Sequence, residues 1–306
     1  MTQFSIIVVS QDNRKLITSL LRSLMNYGHL EGEVLLIDNA STDGTPEEAC
    51  ATGVNNLALS VIKRKERRPL PENRNLGAKL SQSDILIFCD SDVIFEDPNF
   101  FEGLERDFAT YKPDIVCPLI LDVDSDRVQS AGFIHWGLDY VFKAPFGGVS
   151  KQSVPPLIFS VDMLHGACFA ISRKAFERLD GFDELMAPYN YDEMDLAIRA
   201  RKSGMSLIAD TGIYVRHVGA GTTGRIKKKL KGYWFVRHMF RSMIKNEGKR
   251  AYLMIPIYIL VSTYGAIVGG YGGPELVLKA VSWALKNRGH PLMISKILDY
   301  EVVCKK

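Results

Sequence analysis

This 306-residue chain lacks two glycine-rich sequence motifs that bind phosphate groups in other proteins. No Gly-x-Gly-x-x-Gly follows the first strand-like run, which argues against a dinucleotide oxidoreductase. No Gly-x-x-x-x-Gly-Lys-Ser/Thr occurs, which argues against a P-loop enzyme. The sequence also shows no internal repeat, no low-complexity segment and no N-terminal basic region followed by an apolar stretch of the signal-peptide type.

Cysteine is scarce and scattered: the chain has 5, and none has Cys-x-x-Cys spacing. Cys89, Cys117 and Cys168 lie in apolar runs, whereas Cys50 and Cys304 do not. The pattern predicts inert core thiols in a reducing compartment rather than disulfides or a zinc site.

Net charge is also small, at +3, which argues against nucleic acid as a partner. The 46% hydrophobic and 24% charged fractions are those of a globular protein. A chain of this length can bury a large core, as one long α/β domain or as one domain with an appendage.

Apolar, β-branched runs alternate with helical patterns in the first third of the chain. Strands are predicted over Phe4 to Ser10, Glu33 to Asp38 and Ala58 to Ile62, with a helix from Leu16 between the first two. A further strand begins at Ile85. This alternation predicts an α/β protein with a largely parallel sheet.

The strand that begins at Ile85 runs directly into Asp90-Ser91-Asp92. Ligands of open α/β sheets bind outside the carboxyl ends of the strands, so these acids are expected at a ligand-binding rim. Carboxylate oxygens suit Mg²⁺ or Mn²⁺ with a bound diphosphate. An acidic turn without a ligand is the alternative, because Asp-x-Asp is common by chance.

A series of motifs follows along the chain: Ser5 to Ser10, Leu36 to Thr45, Arg74-Asn75-x-Gly77, Phe88 to Asp92, Val128 to Gly132 and Gly181 to Glu184. In this order they resemble the motifs of glycosyltransferase family 2. The resemblance implies the GT-A nucleotide-sugar fold, and the last two motifs are similar to its rhamnosyltransferase-like branch.

The resemblance implies a donor site and a metal site, with Mg²⁺ or Mn²⁺ as the cofactor. Asp92 and His217 are the expected metal ligands, although a structural histidine is the alternative for His217. The residues expected to contact a nucleoside-diphosphate sugar are Ser10, Asp38, Asp43, Arg74, Asn75, Asp90 and Ser91.

The segment Tyr191-Asp192-Glu193-Met194-Asp195 resembles the family's Glu-Asp-x-Asp segment, in which the second acid is the catalytic base. By position that base is Glu193, but the order here is Asp-Glu, so Asp192 stays open as the base. Acids in a first helical turn also occur without any chemistry. His165, Gly166 and Asp195 are expected near the acceptor.

From Ile226 the chain becomes basic and aromatic, and residues 251–274 carry no charge. We predict an amphipathic helix with a cationic face, followed by helices that lie in the plane of an anionic membrane surface across residues 226–274. Packing on the catalytic domain or on a homodimer partner is the alternative. The predicted division is a catalytic domain over 1–225, with halves 1–120 and 121–225, and a helical region over 226–306.

The sequence therefore predicts an inverting, metal-dependent glycosyltransferase that moves a sugar to a hydroxyl of a glycan or lipid-linked glycan. Its expected location is cytoplasmic, peripheral on the inner face of the membrane. The alternatives are a catalytically silent nucleotide-sugar-binding relative and a two-carboxylate glycosidase.

Overall fold

The computed structural model describes residues 4–28, 30–55, 57–219, 226–290 and 299–306. The first elements are β1 (Phe4–Ser10), α1 (Arg14–Leu24), β2 (Gly32–Asp38), α2 (Thr45–Thr52), β3 (Ala58–Arg64), α3 (Leu70–Leu80), β4 (Ile85–Asp90), β5 (Val93–Ile94), α4 (Phe100–Thr110) and β6 (Ile115–Asp122). The next are β7 (Val128–Ser130), β8 (Ile134–Trp136), β9 (Leu138–Lys143), a 3-10 turn (Lys151–Ser153), β10 (Ile158–Ser160), β11 (Cys168–Ser172), α5 (Arg173–Arg178), α6 (Asp192–Lys202) and β12 (Leu207–His217). The last are α7 (Lys228–Glu247), α8 (Arg250–Val268), α9 (Pro274–Lys286) and β13 (Tyr300–Lys305).

One mixed sheet organises the molecule, with the order β10-β12-β6-β11-β4-β1-β2-β3-β13. The block β4-β1-β2-β3 is parallel throughout. On one side β11 runs antiparallel between β4 and β6, and on the other side β13 runs antiparallel to β3. The predicted α/β class with a mostly parallel sheet is confirmed.

The strand register brings several predicted site residues to one edge of the sheet. Ser10 pairs with Asp38 across β1 and β2, and Val9 pairs with Asp90 across β1 and β4. Because the strands are parallel, their carboxyl ends share this edge, where α/β proteins bind ligands.

The alternating side chains of β1 and β2 bury two apolar layers, one on each face of the sheet. Ile7 belongs to one layer, and Ile6 and Val8 belong to the other. Helix α3 packs directly over Ile7 at Gly77, where an added Cβ would lie 2.4 Å from Cγ2 of Ile7. The glycine therefore lets α3 approach the sheet and fixes the position of Arg74, one turn earlier in the helix.

The C-terminal region packs as three helices, and its last residues return to the sheet as a strand. Helices α7 and α9 pack against each other, and α8 packs on both. The region predicted as helical over 226–306 also contains a strand at its end, where Tyr300–Lys305 pairs with β3. The predicted domain division stays a prediction, since β6 spans its boundary at 120 and residues 220–225 lie outside the described residues.

Helix α8 buries one face and exposes an apolar one. Ala251, Ile255, Tyr258 and Ala266 are buried, and the Tyr258 ring meets Tyr140 of β9 edge-on. It is the one helix among the described residues that is long and apolar enough to cross a membrane. Residues at helical spacing on its outer face are exposed, namely Leu253, Ile257, Leu260, Tyr264 and Val268.

The cationic face predicted for α7 is only partly present. Lys227, Lys228 and Lys229 are exposed, but Arg241 is 2% exposed and donates to Asp183. Some basic residues of this segment are exposed, and others form internal ion pairs. The spacing of basic residues in the sequence does not distinguish the two groups.

The prediction that no cysteine forms a disulfide is wrong, since Cys50 and Cys304 are bonded although 254 positions separate them. Strand β13 lies beside β3, and this pairing brings Cys304 to α2, which carries Cys50. The other cysteines, Cys89, Cys117 and Cys168, are buried free thiols as predicted.

Reduction of the Cys50–Cys304 bond should lower the free energy of unfolding by about 2–4 kcal/mol, because it releases a long loop in the unfolded chain. The measurement is a urea titration with and without dithiothreitol. Cys304→Ser should reproduce the loss and be insensitive to the reductant. Equal midpoints for the wild-type protein in both conditions would contradict a stabilising bond.

Candidate active site

A cavity of about 600 Å³ opens at the carboxyl edge of the sheet. Its size lies within the range of small-molecule sites. It is lined by most of the predicted site residues, namely Ser10, Arg74, Asp90, Ser91, Asp92, His165, Gly166, Asp192, Glu193 and His217. Because these residues come from both halves of the sheet, the fold assembles the site from segments far apart in the chain.

Asp90, Asp92 and His217 form a cluster with the composition of a cation site. One ligand atom from each lies within 4.8 Å of the others. The His217 Nε2 atom is 3.3 Å from Asp92 Oδ1 and 4.0 Å from Asp90 Oδ2. Two carboxylates and an imidazole suit Mn²⁺ well and also accept Mg²⁺.

Gln129 fixes the orientation of the His217 ring. Its amide Nε2 donates to the His217 backbone oxygen at 3.0 Å, so its Oε1 faces the ring and accepts from Nδ1 at 2.8 Å. In the neutral ring Nε2 then carries the free lone pair that a metal requires. Burial lowers the pKa of His217, but the hydrogen bond to Asp92 and the charges of Asp90 and Asp92 raise it overall.

The buried guanidinium of Arg74 joins three segments of the site. It donates to Asp192 Oδ2 at 2.9 Å, to Asp90 Oδ1 at 3.1 Å and to the backbone oxygen of Gly166 at 3.0 Å. These contacts connect the end of β4, the start of α6 and the turn before β11. Arg74 was predicted to contact the donor, and in the structure it holds the carboxylates of Asp90 and Asp192.

Asp192 and Glu193 are adjacent but differ in environment. Asp192 is fully buried and paired with Arg74, whereas Glu193 is partly exposed to the cavity. Burial and the neighbouring Asp192 charge raise the pKa of Glu193 well above its ordinary range. Gly166 makes room for this carboxyl, since an added Cβ would lie 3.2 Å from Glu193 Oε1.

Two buried oxygen atoms at the sheet edge have no hydrogen-bond partner within the described ranges: Ser10 Oγ and Asp38 Oδ1. The other Asp38 oxygen accepts from the backbone N–H of Ser41 at 3.0 Å. Burial raises the pKa of Asp38. Buried polar atoms are normally satisfied, so both atoms are exceptions. Ser10 lines the cavity, whereas Asp38 is fully buried and does not line it.

His165 lies in the cavity between two rings. Its imidazole stacks on Phe133 and meets His217 edge-on, each with 5.9 Å between ring centroids. Its Nδ1 accepts from the backbone N–H of Ala167 at 3.2 Å. Burial and the nearby His217 lower the pKa of His165 to about 4, so the ring is neutral at physiological pH.

Three other residues predicted for the site make contacts elsewhere. Asp43 accepts from the backbone N–H groups of Arg14 and Thr45, which gives it a role in fixing the start of α2. Asn75 donates to the Phe182 oxygen and to Glu184. Asp195 is fully buried and accepts from Ser242, Lys245 and Arg199.

Asp195, which was expected near the acceptor, does not line the cavity. It connects α6, which carries Glu193, to α7 in the C-terminal region. The residue that sequence reasoning missed is Gln129, whose role depends on a contact 88 positions away in the chain. Its place in the Val128-Gln129-Ser130 motif was the available signal.

The chain is similar to known proteins in sequence and in fold. Polypeptide N-acetylgalactosaminyltransferase 6 of Bos taurus is 26% identical over 209 residues, 62% of this chain and 33% of that protein. An N-acetylglucosaminyl-diphospho-decaprenol L-rhamnosyltransferase of Mycobacterium tuberculosis is 28% identical over 210 residues, 63% of this chain and 68% of that protein. This chain therefore matches about a third of the length of the first relative.

Among solved structures, a mannosyltransferase of Pyrobaculum calidifontis in complex with GDP-Man and Mn²⁺ shares the fold, with a TM-score of 0.58 and 15% identity. The match covers 95% of this chain and 76% of that one. This likeness shows that the chain has the GT-A fold. The family model for glycosyl transferase family 2 matches residues 5–180, more than half of the chain, and the chain belongs to that family.

Arg74→Gln should lower the free energy of unfolding by about 3–5 kcal/mol, because it leaves the buried Asp192 charge without its partner. Urea denaturation measures the loss. Arg22→Gln, at an exposed position of α1, is the matched control and should change it by less than about 0.5 kcal/mol. Equal effects of the two substitutions would contradict the role given to Arg74.

Proposed function

We propose that this chain is an inverting, metal-dependent glycosyltransferase that uses a nucleoside-diphosphate sugar. One observation carries the proposal: the cluster of Asp90, Asp92 and His217 shares a cavity with the half-buried carboxyl of Glu193. The three-residue cluster suits a cation that binds a diphosphate, and the Glu193 carboxyl suits proton transfer. Ser10 and Asp38, whose buried oxygens lack partners among the described residues, would hold the nucleoside with Ser91 nearby.

Asp92 and His217 would hold the Mg²⁺ or Mn²⁺, with Asp90 beside it and in contact with Arg74. The cation, when bound, supplies stabilisation of the negative charge on the leaving diphosphate. The Mn²⁺ in the Pyrobaculum calidifontis mannosyltransferase supports this assignment for the fold.

In the transfer step the acceptor hydroxyl oxygen attacks the anomeric carbon from the side opposite the diphosphate. The bond from that carbon to the diphosphate oxygen breaks, and the diphosphate leaves with the electron pair. Glu193 takes the proton from the acceptor hydroxyl. The ion pair of Asp192 with Arg74 supports Glu193 as the base.

The acceptor is proposed to be a hydroxyl of a glycan or of a lipid-linked glycan. Two observations support a lipid-linked acceptor. The rhamnosyltransferase of Mycobacterium tuberculosis is named for a decaprenol-linked substrate. The exposed apolar face of α8 fits a membrane surface, with Lys227, Lys228 and Lys229 available for anionic lipid headgroups. The corresponding location is the surface of a membrane.

Donor hydrolysis in the presence of Mn²⁺, measured as nucleoside-diphosphate release across a panel of nucleotide sugars, tests the proposal. Chelation with EDTA should abolish release, and added Mn²⁺ or Mg²⁺ should restore it. Asp92→Ala should lower the rate about a hundredfold or more, because the leaving diphosphate loses its charge stabilisation. Asp124→Ala, at an exposed position, is the control. Nucleotide binding without any turnover would instead indicate a silent relative.

Glu193→Gln should reduce acceptor-dependent transfer about 10²–10⁴-fold, the usual contribution of a general base. The base acts only as the carboxylate, and its pKa is raised, so kcat/KM should rise with pH through a value above the ~4.3 of an ordinary glutamate. Glu177→Gln, at an exposed position, is the control and should keep the wild-type profile. Full activity in Glu193→Gln, with loss in Asp192→Asn, would show that Asp192 is the base.

Flotation with vesicles of phosphatidylcholine and phosphatidylglycerol tests the membrane surface. The wild-type chain should float with the vesicles, and floating should decrease with salt because the exposed lysines contribute. Leu253→Asp with Leu260→Asp should abolish it, whereas Tyr111→Asp, at an exposed position of the catalytic domain, should not. A soluble wild-type dimer that the double variant dissociates would mean that the face binds a second copy.

A further inference from the structure

The turn that leads into α6, the helix carrying Glu193, has an uncommon backbone conformation. Asn190 and Tyr191 are both left-handed, with φ angles of 83° and 75°. Neither residue is a glycine, and a bulky side chain such as that of tyrosine disfavours this region strongly. Two consecutive residues keep such a conformation only when surrounding contacts hold them, and strained backbone of this kind is concentrated at functional sites. Glu193 follows two residues after the turn.

Helix α7 holds the peptide group that joins these two residues. The backbone oxygen of Asn190 belongs to that peptide group, so its position depends on ψ of Asn190 and φ of Tyr191. The Nδ1 atom of His238 lies 2.7 Å from this oxygen. The ring of Phe235, three residues earlier in α7, meets the Tyr191 ring edge-on with 5.2 Å between centroids. One face of α7 therefore contacts both left-handed residues.

Arg237 determines which nitrogen of His238 donates. Its guanidinium donates to His238 Nε2 at 2.7 Å and also to the backbone oxygen of Ala187. Burial and the neighbouring Arg237 charge lower the pKa of His238 to about 3, so the ring is neutral at physiological pH and carries one N–H. Because Nε2 accepts from Arg237, that hydrogen is on Nδ1 and is donated to the Asn190 oxygen.

The direction of this turn decides where the Glu193 carboxyl lies in the cavity. There is little free space around the carboxyl, because a Cβ added at Gly166 would lie 3.1 Å from Glu193 Cδ. The start of α6 is held on one side by Arg74, which donates to Asp192 at 2.9 Å, and on the other side by His238. A displacement of about 1 Å in a catalytic group can cost about 10²-fold in rate.

We propose that His238 is a positioning residue for Glu193: by donating to the Asn190 oxygen, it holds the left-handed turn that directs the Glu193 carboxyl into the cavity. Arg237 supports it by keeping the donated hydrogen on Nδ1. This inference rests on the proposed function, because it needs Glu193 to act as the base. It connects the transfer step to α7, which lies outside residues 5–180, the segment that the family model matches.

Transfer to methyl pyranosides, from the nucleotide sugar that the wild-type protein hydrolyses fastest, tests the positioning role. His238→Phe keeps a ring of similar size and removes both nitrogens, so kcat should fall about tenfold or more. KM for the nucleotide sugar should stay within about twofold, because the metal cluster lies on other elements. His238→Asn should recover most of the loss, since its amide N–H can replace the Nδ1–H.

A double variant separates positioning from a general loss of structure. In the Glu193→Gln background, His238→Phe should change kcat by less than about twofold, because both substitutions remove the same carboxylate function. Hydrogen exchange provides a measurement that does not depend on activity. In peptides covering residues 186–194, exchange should be faster in His238→Phe than in wild-type protein and should return toward the wild-type rate in His238→Asn.

Met243→Ala, at another buried position of α7, is the matched control; it should lower stability and leave kcat within about twofold. Arg237→Met, at a half-exposed position, should lower kcat in the same direction as His238→Phe but by less.

Wild-type kcat in both His238→Phe and Arg237→Met would overturn the proposal, and so would losses that multiply in the double variant. Activity lost in Glu193→Gln but kept in His238→Phe would contradict the positioning role alone. A wild-type protein that turns over no nucleotide sugar would contradict the proposed function itself.

Discussion

The buried guanidinium of Arg74 connects the parts of the site that the chain supplies separately. Its hydrogen bonds to Asp90, Asp192 and the Gly166 backbone bring the end of β4, the start of α6 and the turn before β11 to one point. A fully desolvated cation needs such partners, and each buried carboxylate needs the cation. Gly77 lets α3 pack directly on Ile7 of β1, and this close packing determines how near Arg74 lies to the sheet.

A second buried ion network extends the site into the C-terminal region. Asp183 and Asp195 accept from Arg241 and Lys245 of α7, so the helix that carries Glu193 is fixed to α7. Burial alone would raise the pKa of Asp195, but Lys245 and Arg199 hold that pKa below its ordinary range. The C-terminal helices are therefore part of the site's framework as well as a candidate membrane surface.

The sequence predicted the features that depend on local pattern. The early strands, the carboxyl-edge position of Asp90 and Asp92, and the family follow from apolar periodicity and from the order of the motifs, and the family and fold were confirmed. Predictions that depended on distant contacts were less accurate. The disulfide of Cys50 with Cys304 and the internal role of Asp195 both require β13 or α7 to be placed first.

The choice of catalytic base between Asp192 and Glu193 also depends on a contact between residues far apart in the chain. The sequence left the base open between them, and what favours Glu193 is the pairing of Asp192 with Arg74, a contact across 118 positions. Likewise the spacing of lysines and arginines in α7 predicted one cationic face, but buried aspartates on α6 and before it attract part of that charge.

The central claim is that a cation and a diphosphate meet at Asp90, Asp92 and His217. Anomalous scattering from a crystal grown with Mn²⁺ and a nucleoside diphosphate tests it most directly. The account predicts one strong manganese peak in contact with Asp92, with His217 Nε2 and with the diphosphate oxygens. A nucleotide bound in the cavity with no manganese beside these side chains, or with manganese held elsewhere, would contradict it.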